Sequence, residues 1–275
     1  MRSNESDAQP KKVVTVPDLI GYKLQDRRIV MVTAYDYSAA LIADRAGVDA
    51  ILVGDSLGMM VLGHKNVLPV TLDDIIHHTR AVTAAARRAL VVADLPFGAY
   101  QAGAQDALRS AVRLMKEAGA RSVKMEGGAQ IADAIELVTK SGIPVVGHLG
   151  LTPQSVHKFG GHKLQATTEA EASALVRDAL AVEQAGAWAI VLEMVPAAAA
   201  MAVSRELSIP TIGIGAGPWC DGQVQVWHDL LALPPGRDFH HVKQYANLGD
   251  IAIDALKTYA DEVRDGKFPT EEHSS

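Results

Sequence analysis

Short apolar runs alternate with longer Ala-rich amphipathic stretches along most of the chain. The short runs at 29–35, 50–55, 90–96, 122–126, 144–149, 189–195 and 210–214 are mostly built on Val, Ile and Leu, with polar or glycine residues toward their ends, and 223–226 is the candidate eighth. Apolar character without alternation is what strands covered on both faces require, as in a parallel sheet. The stretches at 37–46, 72–88, 104–118, 129–140, 168–185 and 196–207 predict helices between them. Three of these close on one pattern: Ala46-Gly47-Val48-Asp49-Ala50, Ala118-Gly119-Ala120-Arg121-Ser122 and Ala185-Gly186-Ala187-Trp188-Ala189. Glycine there supplies the left-handed residue that ends a helix, and a new buried run follows at once.

Seven or eight β-then-α units without a break predict an α/β fold, a single-domain (β/α)8 TIM barrel; a doubly wound open sheet is the alternative. Residues 16–26 predict a short helix over the barrel floor, with Pro17 at its first helical position. The expected organisation is a disordered tail at 1–12, a catalytic barrel domain at 13–268 and a loose end at 269–275.

Composition adds mainly exclusions. The chain is 48% hydrophobic and 21% charged, which excludes global disorder. Net charge is −6, with no Lys/Arg-rich stripe, so neither nucleic acid nor an anionic membrane is an expected partner. A single cysteine, Cys220, leaves no intramolecular disulfide or thiolate metal cluster. With no apolar run of membrane-spanning length and a polar start at 1–12, the expected location is cytoplasmic.

Barrel active sites lie at the carboxyl ends of the strands, where polar residues are informative. Successive runs end in Gly54-Asp55-Ser56, Asp94-Leu95-Pro96, Lys124-Met125-Glu126, Gly147-His148-Leu149 and Leu192-Glu193-Met194. Any one of these charges has an ordinary reading as a solvated loop residue, but five strand ends in a row predict one shared site. Lys124 and Glu126, two apart in a strand, point to the same side. Asp55, Asp94 and Glu126 form a hard oxygen-donor set suited to Mg²⁺, with Mn²⁺ left open, and a 2-keto acid would complete it through its carboxylate and keto oxygens. Glu193 is then free for proton transfer, and Lys124 is placed to hold a substrate carboxylate.

Other features predict less. Gly213-Ile-Gly-Ala-Gly217 precedes Pro218-Trp219, a turn, so it lacks the helix that a dinucleotide cradle needs. The pairs His77-His78 and His240-His241 cannot both aim adjacent rings at one ion from a helix, and Cys220 has no base beside it. The turn-rich segment 152–161 predicts a mobile loop that either closes over substrate or makes a surface excursion.

An ordered set of motifs resembles the ketopantoate hydroxymethyltransferase family, also called 3-methyl-2-oxobutanoate hydroxymethyltransferase. The set comprises Met31-Val-Thr-Ala-Tyr-Asp-Tyr37, Val53-Gly-Asp-Ser-Leu-Gly58, Leu68-Pro-Val-Thr71, Ala93-Asp-Leu-Pro-Phe97, Val123-Lys-Met-Glu-Gly127, Gly147-His-Leu-Gly-Leu-Thr-Pro-Gln154, Gly213-Ile-Gly-Ala-Gly217 and Cys220-Asp-Gly-Gln223. It runs across residues 14–268. The resemblance implies one Mg²⁺ per subunit at Asp55, Asp94 and Glu126, and 5,10-methylenetetrahydrofolate as co-substrate. It implies that Asp55, Ser56, Asp94 and Lys124 contact 3-methyl-2-oxobutanoate, that His148 lines the site, and that Glu193 accepts a proton. The implied product is 2-dehydropantoate, on the way to pantothenate and coenzyme A, and the implied assembly is a homo-oligomer, often a decamer. Two departures, Phe97-Gly98-Ala99-Tyr100 and the ending His273-Ser274-Ser275, leave those positions intact. A magnesium barrel lyase or mutase acting on another 2-keto acid, and a non-catalytic ring-forming binding protein, are the rival expectations.

Overall fold

A computed structural model describes residues 12–236 and 239–274. The tail expected at 1–12 lies outside the described residues except for Lys12. Eight strands follow in chain order: β1 (Ile29–Thr33), β2 (Ala50–Val53), β3 (Leu90–Asp94), β4 (Ser122–Glu126), β5 (Val145–Gly150), β6 (Ala189–Glu193), β7 (Thr211–Ile214) and β8 (Gly222–Gln225). Each pairs in parallel with its sequence neighbour, and the sheet closes on itself. This is the (β/α)8 barrel that the apolar runs predict, and the open sheet is excluded.

The helices are α1 (Val16–Leu24), α2 (Tyr37–Ala46), α3 (Leu57–Met60), α4 (Leu72–Ala85), α5 (Ala104–Ala118), α6 (Ala132–Lys140), α7 (Val156–Phe159), α8 (Glu169–Gln184) and α9 (Ala197–Glu206). Thr15, Thr71 and Thr168 begin α1, α4 and α8 with reciprocal capping boxes to Asp18, Asp74 and Glu171. Gly47, Gly119 and Gly186 adopt the left-handed φ values of +87°, +72° and +97° that the repeated helix ending requires. α4 stops three residues short of the predicted 88. The Asp44 carboxylate accepts from the backbone N–H groups of Arg87, Arg88 and Ala89 and draws that segment out of the helix into β3.

α1 plugs the barrel floor as expected. Leu19 is fully buried and packs with Val14, Ile29, Met31, Leu52, Leu90, Val146 and Ile212. Lys23 ties α1 to the floor by donating to Asp221 at 3.0 Å and to the carbonyls of Ser204 and Ile209. Inside the barrel Trp188 Nε1 donates to Ser122 Oγ at 2.9 Å, satisfying a buried donor between β4 and β6.

The chain divides into two compact units, one ending at Val224 and one beginning at Gln225. The second holds α10 (Trp227–Leu230) and α11 (Leu248–Arg264), which the β-then-α cadence does not announce because no strand follows. The Tyr245 and Leu248 backbone N–H groups donate to the carbonyls of Leu230 and Leu231. Ile251, Leu256, Tyr259 and Val263 of α11 are exposed. Among the described residues no helix is long and apolar enough to cross a membrane.

Barrel closure depends on a close approach at Gly222, where a Cβ would stand 2.5 Å from the Ile29 carbonyl oxygen and 2.7 Å from Ile29 Cβ. Both obstacles belong to β1, next to which β8 completes the barrel, so neither moves cheaply. Gly222→Ala is expected to destabilise the fold by about 1–3 kcal/mol, the usual scale of overpacking. Urea unfolding followed by circular dichroism checks this, and an unchanged midpoint would contradict the closure geometry.

Candidate active site

Strands β2 to β6 carry their ionisable residues to the carboxyl end of the barrel. Asp55 follows β2 after Gly54, and its backbone N–H donates to Asp94 Oδ2 at 2.9 Å. Asp94 ends β3 in register with Lys124, Glu126 in β4 lies beside His148 in β5, and Gly150 lies beside Glu193 at the end of β6. The parallel register therefore converts five separate strand ends into one continuous cluster.

Lys124 Nζ lies 3.1 Å from Asp94 Oδ1, 3.7 Å from Glu126 Oε1 and 3.1 Å from His148 Nδ1. His148 bridges onward, with Nδ1 3.3 Å from Glu126 Oε1 and Nε2 3.2 Å from Glu193 Oε2. Asp55, Asp94, Lys124, Glu126 and His148 are buried, while the Glu193 side chain keeps 20% of its surface. Ser56 Oγ accepts or donates at 2.7 Å from Tyr35 Oη. A Cβ on Gly54 would meet both Ser56 Oγ and Asp94 Oδ2, at 3.0 and 3.3 Å. All seven residues expected at the site thus stand at one mouth.

The electrostatics follow from burying several carboxylates around few cations. Burial, then Asp94 and Glu126, push the Asp55 carboxyl well above its ordinary range. Burial likewise raises Asp94, against the pull of Lys124 and the Asp55 N–H. Burial opposes the charged form of Glu126, but His148, Lys124 and the Gln154 N–H outweigh it and hold that group low. Burial also opposes the Lys124 ammonium, yet Asp94, Glu126 and Asp55 prevail and raise its pKa. Burial and Lys124 disfavour the His148 imidazolium, but Glu126 and Glu193 win and push it up to about 9. At neutral pH the imidazolium is therefore ion-paired with both glutamates, in contacts that lack hydrogen-bond geometry. Its Nδ1 also lies 3.1 Å from Lys124 Nζ, so the two residues share the same ring of carboxylates.

Among the described residues no three His, Cys, Asp or Glu side chains converge closely enough, as they stand, to hold a metal ion. The Lys124 ammonium pairs with Asp94 and Glu126 in that space. Even so, Asp94 Oδ1 and Glu126 Oε1 are buried without a hydrogen bond of good geometry.

Two buried residues at the mouth are not singled out by strand-end reasoning. Tyr100, in the loop after β3, and Gln154, after β5, hydrogen-bond to each other, to Glu126 and, through Gln154, to Asp55. Gln154 lies in the segment predicted to be a mobile loop, but Thr152 and Gln154 are buried and Pro153–Ser155 forms a 3-10 turn. The available signal is its place in the Gly147–Gln154 motif, since loop composition alone points the other way. The remaining candidates stay apart from this cluster. Cys220 is a buried thiol whose pKa burial raises, and His78 bonds to the Tyr35 carbonyl. A cavity of about 190 Å³ on the floor side is lined by Lys23, Arg28, Arg205, Trp219 and Asp221, with Lys23 already paired to Asp221.

The molecule is a (β/α)8 barrel with five ionisable strand ends gathered at one mouth, the architecture of a barrel enzyme. A family profile described as ketopantoate hydroxymethyltransferase matches residues 13–271, and the chain belongs to that family. It is 55% identical over 261 residues to the 3-methyl-2-oxobutanoate hydroxymethyltransferase of Moorella thermoacetica, covering 95% of this chain and 97% of that protein. The enzyme of the same name from Pelobacter propionicus is 52% identical, with 96% and 98% covered. Among solved structures, phosphonopyruvate hydrolase has a TM-score of 0.60 at 15% identity, covering 94% of this chain and 93% of that one. 2,3-Dimethylmalate lyase has a TM-score of 0.59 at 17% identity, covering 96% and 92%. Those two likenesses concern the fold alone.

Because the folded-state pKa of His148 lies above its unfolded value, its contribution to stability is complete below about pH 6.5 and lost as pH rises through about 9. In metal-free buffer the chain is expected to lose on the order of 2 kcal/mol from this group between those limits. His148→Gln should flatten that part of the profile. Denaturant unfolding at a series of pH values measures it, and identical slopes in both proteins would refute the assignment.

Proposed function

We propose that this chain converts 3-methyl-2-oxobutanoate, 5,10-methylenetetrahydrofolate and water to 2-dehydropantoate and tetrahydrofolate, a step toward pantothenate and coenzyme A. The observation that carries this reading is the division of the carboxylates. Asp55, Asp94 and Glu126 are buried together, whereas Glu193 stands partly exposed across the mouth with His148 as its partner. The relatives' shared name, at 52–55% identity over nearly the whole chain, supplies the substrate.

The cluster suits a hard divalent cation in its chemistry. Three buried carboxylates face one ammonium, and two of their oxygens lack a well-formed hydrogen bond. Asp55, Asp94 and Glu126 would hold one Mg²⁺ per subunit. When bound, Mg²⁺ supplies an electrophile that polarises the 2-keto group and lowers the cost of ionising the adjacent C–H bond.

Lys124 holds the keto acid's carboxylate, exchanging its present partners Asp94 and Glu126 for the substrate. Asp55, Ser56 and Asp94 line the same pocket and orient the keto acid. Glu193 removes the C3 proton, and His148 fixes its carboxylate from Nε2. The new C–C bond joins C3 to the donor's methylene carbon, water supplies the hydroxyl oxygen, and tetrahydrofolate leaves. The location is cytoplasmic, in keeping with a single buried, unpaired cysteine.

The chemistry is tested by proton NMR of the C3 hydrogen of 3-methyl-2-oxobutanoate in deuterated water. With Mg²⁺ and without folate the wild-type chain should exchange it, and chelation should abolish exchange. Glu193→Gln keeps the size but not the basicity of the side chain, so exchange and 2-dehydropantoate formation should fall together by about a hundred-fold or more. Undiminished exchange in that variant would transfer the base role elsewhere, with His148 next in line.

The chain is also read as a homo-oligomer, a decamer in keeping with the family resemblance. The exposed Ile251, Leu256, Tyr259 and Val263 of α11 support a second copy as the cover for that face. Leu256→Asp should shift the sedimentation coefficient toward smaller species. A wild-type chain that sediments as a monomer would refute the assembly.

A further inference from the structure

The side chain of Gln154 has its amide orientation determined by its partners. Nε2 faces two acceptors, Asp55 Oδ2 at 2.9 Å and the Leu95 carbonyl at 3.0 Å. Oε1 faces two donors, Tyr100 Oη at 2.8 Å and Gln101 Nε2 at 3.0 Å. A flipped amide would set oxygen against two acceptors, so the network admits one orientation. The backbone N–H of the same residue donates to Glu126 Oε2 at 3.0 Å. One residue therefore grips one oxygen of Asp55 and one of Glu126, carboxylates delivered by the ends of different strands.

Tyr100 completes the clamp by holding both Gln154 Oε1 and the Glu126 backbone. Its hydroxyl accepts from the Glu126 backbone N–H at 3.0 Å, and its single hydrogen faces both Gln154 Oε1 and the Glu126 carbonyl. Tyr100 and Gln154 are 2% and 5% exposed, so water does not replace these bonds. Two buried carboxylates gripped by one residue repel each other, and hydrogen bonds from fixed donors hold each member in place.

The geometry points to Tyr100 and Gln154 as a positioning pair that sets the separation of Asp55 from Glu126 and thereby the divalent-cation affinity of the mouth. This inference builds on the metal assignment proposed above. Gln154 touches the two carboxylates and Tyr100 acts through Gln154 and the Glu126 backbone, so the pair positions ligands and takes no part in bond making.

The test titrates the full-length chain with Mn²⁺ in the presence of 3-methyl-2-oxobutanoate, reading free Mn²⁺ by electron paramagnetic resonance. Gln154→Leu and Tyr100→Phe should each weaken binding about 10–100-fold, the usual cost of removing a group that orients metal ligands. The double variant should lose no more than the worse single variant, because the two side chains act as a unit. Raising the metal concentration should restore kcat in Tyr100→Phe, which a general loss of structure would not allow. Tyr100→Phe removes one oxygen atom and carries the test alone if Gln154→Leu does not fold, as judged by circular dichroism. Wild-type Mn²⁺ affinity in a folded variant overturns the positioning role. Absence of Mn²⁺ binding in the wild type, or undiminished binding in Asp94→Asn, overturns the metal assignment itself.

Discussion

A carboxylate taken out of water loses its hydration, and a second one placed beside it adds repulsion that a low-dielectric interior does little to screen. At the mouth of this barrel Asp55, Asp94 and Glu126 are all buried, with Lys124 as the ammonium among them. Such a group of charges relaxes by protonation, by rotating into solvent or by binding a cation. The upward displacement of Asp55 and Asp94 registers the first route. The second is closed by the β2–β3–β4 register and by the donors around each carboxylate. The third is the use to which the proposed function puts the site.

Holding like charges together requires a frame that does not yield, and the barrel supplies it. Every strand is paired on both sides once β8 closes against β1, so a strand end cannot shift without disturbing its neighbours. The floor is fixed independently by α1, through Leu19 in the core and Lys23 on Asp221. Packing is thus concentrated at the amino end of the strands and ionisable chemistry at the carboxyl end. That separation is general for this architecture and lets the mouth carry unfavourable electrostatics without unravelling the core.

The legible part of this arrangement is the part with a period. Apolar runs without alternation announced parallel strands, repeated Ala-Gly endings announced left-handed helix caps, and successive strand ends announced Asp55, Asp94, Lys124, Glu126, His148 and Glu193 at one rim. What the period does not encode was missed. α11 follows the last strand and belongs to no β-then-α repeat. Gln154 is flanked by Thr, Pro and Ser, a composition that reads as loop, and its burial depends on Tyr100, Gln101 and Asp55, residues distant in sequence. Local composition reports the backbone's freedom in isolation. It cannot report that two buried carboxylates will need a donor at that point.

Environment, more than residue type, separates the four carboxylates. Asp55 and Glu126 each have an oxygen engaged by Gln154, and Asp94 has one engaged by the Asp55 N–H. The remaining oxygens of Asp94 and Glu126 face Lys124. Glu193 has none of these donors; its ion pair is with His148, and part of its surface is open. Fixed donors set where the three buried carboxylates lie, while burial and mutual repulsion set how strongly their charge is opposed, as the raised Asp55 and Asp94 show. Glu193, paired from one side, can instead be reached from the mouth. The same side-chain type is thus buried and donor-held at three strand ends and partly open at a fourth, and the difference follows from which strand ends lie within reach of Gln154 and the Asp55 N–H.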